Sequence, residues 1–150
     1  MSMVSRSGRG RVLMVALPLV VLVSSLLTSC TQGMDTDTLG YINATRASLG
    51  LQQLARNPEL DAGAQAKANE LVQTQQLVHS ANPAAGVNAQ WTVFGENLGK
   101  GASAQQIFEL WMKSQTHHDT MTDGRFNFAG IGVSETPDGT FFIVVRFMAA

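Results

Sequence analysis

Thr140-Phe-Phe-Ile-Val-Val-Arg-Phe-Met148 is the most regular apolar stretch in the second half of the 150-residue chain. Successive side chains of a strand alternate between its two faces. Phe141, Ile143, Val145 and Phe147 therefore share one side, and Phe142, Val144 and Met148 the other, with Arg146 the sole charge. A strand that is apolar on both faces needs a cover on each. Just upstream, Phe126 to Val133 reads as a second strand, and Pro137-Asp138-Gly139 as the turn that joins the two into an antiparallel hairpin.

Helices before and after the sheet in sequence supply the covers. Leu39, Ile42, Ala44 or Arg46, and Leu49 recur at helical spacing, and Gly50 is placed to end that helix in a left-handed conformation. Asn57-Pro58 is a helix start, an N-cap followed by proline at the first helical position, with Glu59 and Asp61 complementing the dipole. Leu60, Ala64, Ala68, Leu71 and Gln75 line one face of this second helix, which is expected to end near Gln76. After a loop at 81–88, Trp91 to Leu98 reads as a short strand. Ser103 caps a third helix that buries Ile107, Phe108, Leu110 and Trp111, with Ser114 as a further candidate for that side, and turns Gln105, Gln106 and Lys113 to solvent. The fold class is therefore α+β, a three-layer α-β-α sandwich around a small antiparallel sheet.

The first thirty residues follow a different logic. Arg6, Arg9 and Arg11 precede an apolar run from Val12 to Leu27 that Pro18 interrupts, and small residues lead to Cys30. This is the pattern of an export signal and is shorter than the roughly 20 residues of a membrane-spanning helix. Leu27-Thr28-Ser29-Cys30 also resembles a bacterial lipobox, in which the cysteine becomes the lipidated first residue of the mature protein. The alternative is an incidental cysteine in a discarded leader. Residues 1–30 are thus expected to be the signal, 31–38 a polar tether and 39–150 the domain. The protein is expected to be exported, as a cell-envelope lipoprotein held to the membrane through Cys30 or otherwise as a secreted or periplasmic protein.

Removing Arg6, Arg9 and Arg11 from ten basic residues leaves seven against eleven acidic ones, a net charge of −4. The basic residues are scattered singly, which excludes nucleic acid as partner. Gly95 to Gly101 has the glycine content of a phosphate loop, but its glycines are too close and Lys100 is followed by glycine, so nucleotide is excluded as well. With no second cysteine, no intramolecular disulfide forms, and stability must come from apolar burial.

Short motifs punctuate the domain in a fixed order: Asn43-Ala-Thr-Arg46, His79-Ser80, Gly95-Glu96-Asn97, then Trp111-Met-Lys-Ser114 followed by His117. Together they resemble the CAP superfamily of cysteine-rich secretory, antigen 5 and pathogenesis-related proteins, in its bacterial SCP-domain form. The resemblance implies the same α-β-α sandwich. It also implies that Asn43, Arg46, Gly95, Asn97 and Trp111 are structural, and that His79, Glu96 and His117 match three of the four His and Glu residues that line the relatives' cleft. Ser114 stands where the fourth, a glutamate, would be, as bacterial members commonly have it.

Two imidazoles and a carboxylate suit a divalent cation such as zinc, with an open position for water. The bland alternative is a hydrogen-bonded network that only fixes the cleft. A lipid, sterol or other small apolar ligand is the second candidate occupant, with Trp91, Trp111 and the phenylalanines as lining. His118 adjoins His117, and adjacent helical residues do not face one site. No catalytic residue is assigned, because neither a Gly-x-Ser-x-Gly elbow nor a His-Glu-x-x-His segment occurs. The leading expectation is a non-enzymatic protein with a His/Glu-lined cleft. Its rivals are a hydrolase using Ser114, Ser80 or metal-bound water, and an envelope protein-interaction module.

Overall fold

The computed structural model describes the backbone of residues 21–150 and the side chains of residues 33–150. Residues 1–20 of the expected export signal, and the side chain of Cys30, lie outside the described residues. Elements follow in the order α1 (Val21–Ser48), β1 (Ala55–Arg56), α2 (Pro58–Thr74), β2 (Val93–Gly101), α3 (Ala104–Lys113), α4 (Gln115–Met121), β3 (Phe128–Glu135) and β4 (Phe141–Ala149). Among the described residues no helix is long and apolar enough to cross a membrane.

The hairpin is β3 and β4, antiparallel with Ile131 opposite Val145, and its turn closes at Gly139 with a φ of 81° that favours glycine. β2 pairs with the other side of β4 from Val93↔Ala149 to Gly101↔Phe141. The sheet order is β1-β3-β4-β2. The long strands are antiparallel as expected, but the two-residue β1, which no sequence pattern marks, runs parallel to β3 and makes the sheet mixed.

Both faces of β4 are covered. Ile143, Val145 and Phe147 join Ile42, Ile107, Trp111 and Phe126 in one core beneath α1 and α3. Phe142 and Val144 join Ala64, Ala68 and Leu71 in a smaller core beneath α2. Burying such large apolar side chains contributes roughly 1.5–3 kcal/mol each. The alanines of α2 are matched by glycines beneath them. A Cβ on Gly130 would sit 2.2 Å from the Leu60 backbone, and one on Gly132 2.2 Å from that of Ala64.

Lying so close, α2 also completes the hydrogen bonding of β3 beyond β1. Asp61 accepts from the Ile131 amide, while Gln65 accepts from the Val133 amide and donates to its carbonyl. Four helical residues rise about 6.0 Å and two strand residues about 6.6 Å, so side chains at i and i+4 of a helix can meet alternate amides of a strand.

Several expectations are corrected. Residues 31–38 are not a tether but part of α1. Two of their polar side chains are used by the fold, with Thr38 fully buried and its hydroxyl donating to the Met34 carbonyl, and Asp35 paired with Arg56. Leu49 lies past the end of α1 and is exposed, as is Leu110 on α3. The buried face of α2 is as expected from Leu60 to Leu71, but the helix ends at Thr74, and Gln75 is its left-handed C-cap instead of a face residue. The third helix breaks at Ser114, which has extended backbone, and α4 starts anew.

Asn43 and Arg46 hold this frame together. Asn43 exchanges hydrogen bonds with both backbone groups of Leu54. Arg46 has no exposed surface and donates to the carbonyls of Gln52, Met121, Asp123 and Phe126, tying α1 to the turn that follows it and to the end of α4 and the segment beyond. Burial lowers its pKa, against the opposing pull of Asp123.

Candidate functional site

Gly95-Glu96-Asn97 lies within β2, so its three side-chain positions alternate across the sheet. Gly95 and Asn97 turn towards α3 and α4. A Cβ on Gly95 would come within 2.9 Å of Phe126 and 3.1 Å of Thr120, and the Asn97 side chain donates to the His117 carbonyl at 3.0 Å. One residue on, the Trp111 indole donates to the Leu98 carbonyl at 2.8 Å. Glu96 turns the other way, beside its cross-strand partner Arg146 on the α2 face.

The donors around Glu96 come from two segments, the loop after α2 and strand β4. The loop after α2 brings the Ser80 amide to Oε1 at 2.9 Å and the Ser80 hydroxyl to Oε2 at 2.7 Å. His79 Nδ1 meets Oε1 at 3.1 Å, and Arg146 Nε meets Oε2 at 3.4 Å. The Glu96 side chain is 3% exposed and the His79 ring 60%. The acid is therefore interior and the imidazole is the group offered to solvent. Burial pushes the Glu96 pKa up, but the Ser80 amide and hydroxyl, His79 and Arg146 outweigh it and hold the carboxyl below its usual range.

His117 lies on α4, where its carbonyl accepts from Asn97. Its Nδ1 lies 2.8 Å from the Ser114 hydroxyl. Ser114 is the N-cap of α4 but makes no side-chain capping bond, so its hydroxyl serves His117 instead. The two are one helical turn apart, the spacing at which an N-cap side chain meets the third helical residue. Burial, and then the charge of nearby His79, lower the His117 pKa. His118 pairs with Asp119 at 3.6 Å.

The expected three-ligand set is thus not assembled. His79 and Glu96 touch, whereas the Nδ1 of His117 is engaged by Ser114, and the Glu96 oxygens are already taken by Ser80, His79 and Arg146. Among the described residues no three His, Cys, Asp or Glu side chains form a group suited to a metal ion. What the fold does gather is two imidazoles near enough for the charge of His79 to act on His117, each with Nδ1 engaged by a neighbouring oxygen. That pattern leaves Nε2 as the nitrogen for a ligand, and a carboxylate behind a histidine is a recognised way to fix its ring and tautomer. An open depression of about 590 Å³ lies elsewhere, along α1 and β1, lined by Leu39, Gly40, Asn43 and Arg56 among others.

Arg146 and Gly63 are the residues that motif reading passed over. A lone arginine in an apolar strand signals a buried acidic partner, and Arg146 carries that signal. Gly63 carries none, because its neighbour is 83 positions away in sequence.

Comparison with known proteins agrees with this architecture. The family model for the cysteine-rich secretory protein family (CAP) matches residues 39–147. Pathogenesis-related protein 1A of Nicotiana tabacum is 31% identical over 121 residues, covering 73% of this chain and 66% of its own length. An outer surface protein of Borrelia burgdorferi superposes with a TM-score of 0.73 at 18% identity, covering 79% of this chain and 93% of the other. An extracellular protein containing an SCP domain from Bacillus anthracis gives 0.75 at 15% identity, with 90% of this chain and 45% of the other covered. NaASP2, solved with Zn2+, gives 0.57 at 14% identity, with 76% and 78% covered. These structural likenesses speak to fold.

Proposed function

This chain belongs to the cysteine-rich secretory protein (CAP) family, and from that premise we propose that it is an exported, non-enzymatic protein whose cleft at the β2 edge binds a divalent cation through the Nε2 atoms of His79 and His117. The observation that carries the reading is the matched pair of Nδ1 contacts, to Glu96 at 3.1 Å and to Ser114 at 2.8 Å. In this role Glu96 orients His79 and does not itself ligate. A depressed His117 pKa supports the same reading, since only neutral imidazole is a ligand. That a protein of the same fold was solved with Zn2+ makes zinc the first cation to try.

Isothermal titration of untagged protein with zinc is the test. We expect one equivalent to bind and affinity to fall by at least about tenfold in both His79→Ala and His117→Ala, with Glu96→Gln losing somewhat less. Binding that neither histidine change alters would reject the site.

A second occupant is favoured by one feature. Leu77 and Val78, directly before His79, are 49% and 55% exposed, an apolar rim suited to a lipid or other small apolar ligand. Binding of a fluorescent fatty acid that is lost in Leu77→Ser/Val78→Ser supports this reading, and binding unaltered by that change rejects it. Export rests on the basic start and apolar run, and the membrane anchor on Cys30. Fatty-acid labelling that persists in Cys30→Ala would reject the anchor.

A further inference from the structure

We infer that Arg146 is a positioning residue for the loop that carries His79, and that Gly63 is the notch in α2 that lets it act. The guanidinium lies under α2 with 5% of the residue exposed, and a Cβ on Gly63 would fall 2.0 Å from Nη1. Only a residue without a side chain leaves that space. From the notch, Nε donates to Glu96 Oε2 at 3.4 Å and Nη2 donates to the Ser80 hydroxyl at 3.2 Å. Ser80 in turn donates both its amide and its hydroxyl to Glu96. Sheet, helix and loop therefore meet at one guanidinium.

The loop between α2 and β2 has no strand or helix of its own near His79, so its position must come from such contacts. A second staple lies further along it, where the amides of Asn88 and Ala89 donate to Glu59 at the start of α2. The Glu59 staple is at the exposed surface, whereas the Arg146 clasp is buried. A buried ion pair adds little net stability after its desolvation cost, but it fixes geometry, and a planar fork of donors reaches two oxygens that a lysine ammonium at the same site cannot. The contribution of Arg146 is thus to hold Ser80, and with it the adjacent ring of His79, at the β2 edge.

The clasp bears on metal binding only if the two-imidazole reading holds, so the test has one readout independent of metal. Amide exchange of Ser80 is compared with that of Val133, whose amide is held by Gln65 on the opposite side of the sheet, in wild type, Gly63→Ala and Arg146→Lys. We expect Ser80 exchange to rise by about tenfold or more in both variants while Val133 exchange stays within about twofold. Equal acceleration of both amides, or an unchanged Ser80 amide, would overturn the inference. Zinc affinity measured on the same variants should fall about three- to tenfold. Wild-type protein that binds no zinc, yet shows the selective Ser80 effect, would sink the metal reading and leave the clasp standing.

Discussion

The two outer sides of the sheet are finished differently. On the β3 side, β1 pairs with Phe128 and Ala129, and beyond it Asp61 and Gln65 of α2 take the amides of Ile131 and Val133. Glycines at 130 and 132 bring the helix close enough to do this. On the β2 side, Glu96 and Asn97 reach in opposite directions to a loop and to a short helix, and an imidazole arrives with each. One side is closed by its own helix. The other gathers side chains that have hydrogen-bonding capacity to spare. The lesson is that the same strand alternation admits a helix where small residues lie and holds a loop and a short helix where long polar residues reach past the strand.

Substitutions on the closed side should cost folding and leave the cleft alone. Gly132→Val drives a branched side chain into the Ala64 backbone, and we expect about 3 kcal/mol of destabilisation in chemical denaturation. Gln65→Leu leaves the Val133 amide unpaired and is expected to cost about 1–3 kcal/mol, with selective loss of exchange protection at Val133. If either change lowered zinc affinity as much as it lowered stability, the two sides would not be separable and the comparison would fail.

On the β2 side the expected effects are smaller and depend on pH. Glu96 has a folded pKa below its ordinary 4.5, so its stabilising contribution is complete above that value and is lost as pH falls through the folded one. Glu96→Gln should lack that acid-side decline, which denaturation curves below about pH 4.5 will reveal. An unchanged decline would mean that Ser80 and Arg146 do not favour the ionised acid.

Subtlest of all is His117. NMR titration should place its pKa below 6.5, and His79→Ala should raise it only part of the way back, because burial is the larger cause and the His79 charge the lesser. A full return to 6.5 would reverse that order. No response to His79→Ala would mean that the two rings do not sense each other.

How much of this was legible in the sequence follows from how local each signal is. The hairpin, the α2 face from Leu60 to Leu71 and the Ser103 cap depend on neighbours within a turn or a strand, and periodicity alone finds them. β1 was hidden because two residues carry no period. Residues 31–38, in the middle of α1, read as a tether because Asp35 and Thr38 look like solvent-facing residues, although one pairs with Arg56 and the other bonds back to its own helix. At the site, resemblance picked out His79, Glu96, Ser114 and His117. Alternation along β2 already implies that Glu96 and Asn97 diverge, whereas the contact of Asn97 with His117 needs the packed structure. The Gly63 notch needs the packed structure, since nothing near glycine in sequence tells what lies above it.

Long-range proton–nitrogen NMR of the three histidines, recorded while zinc is added to untagged protein at pH 7.5, tests the central claim most directly. We predict that the Nε2 signals of His79 and His117 move together and saturate at one equivalent while His118 stays still. Movement of His118 alone, or of neither cleft histidine, would contradict the account.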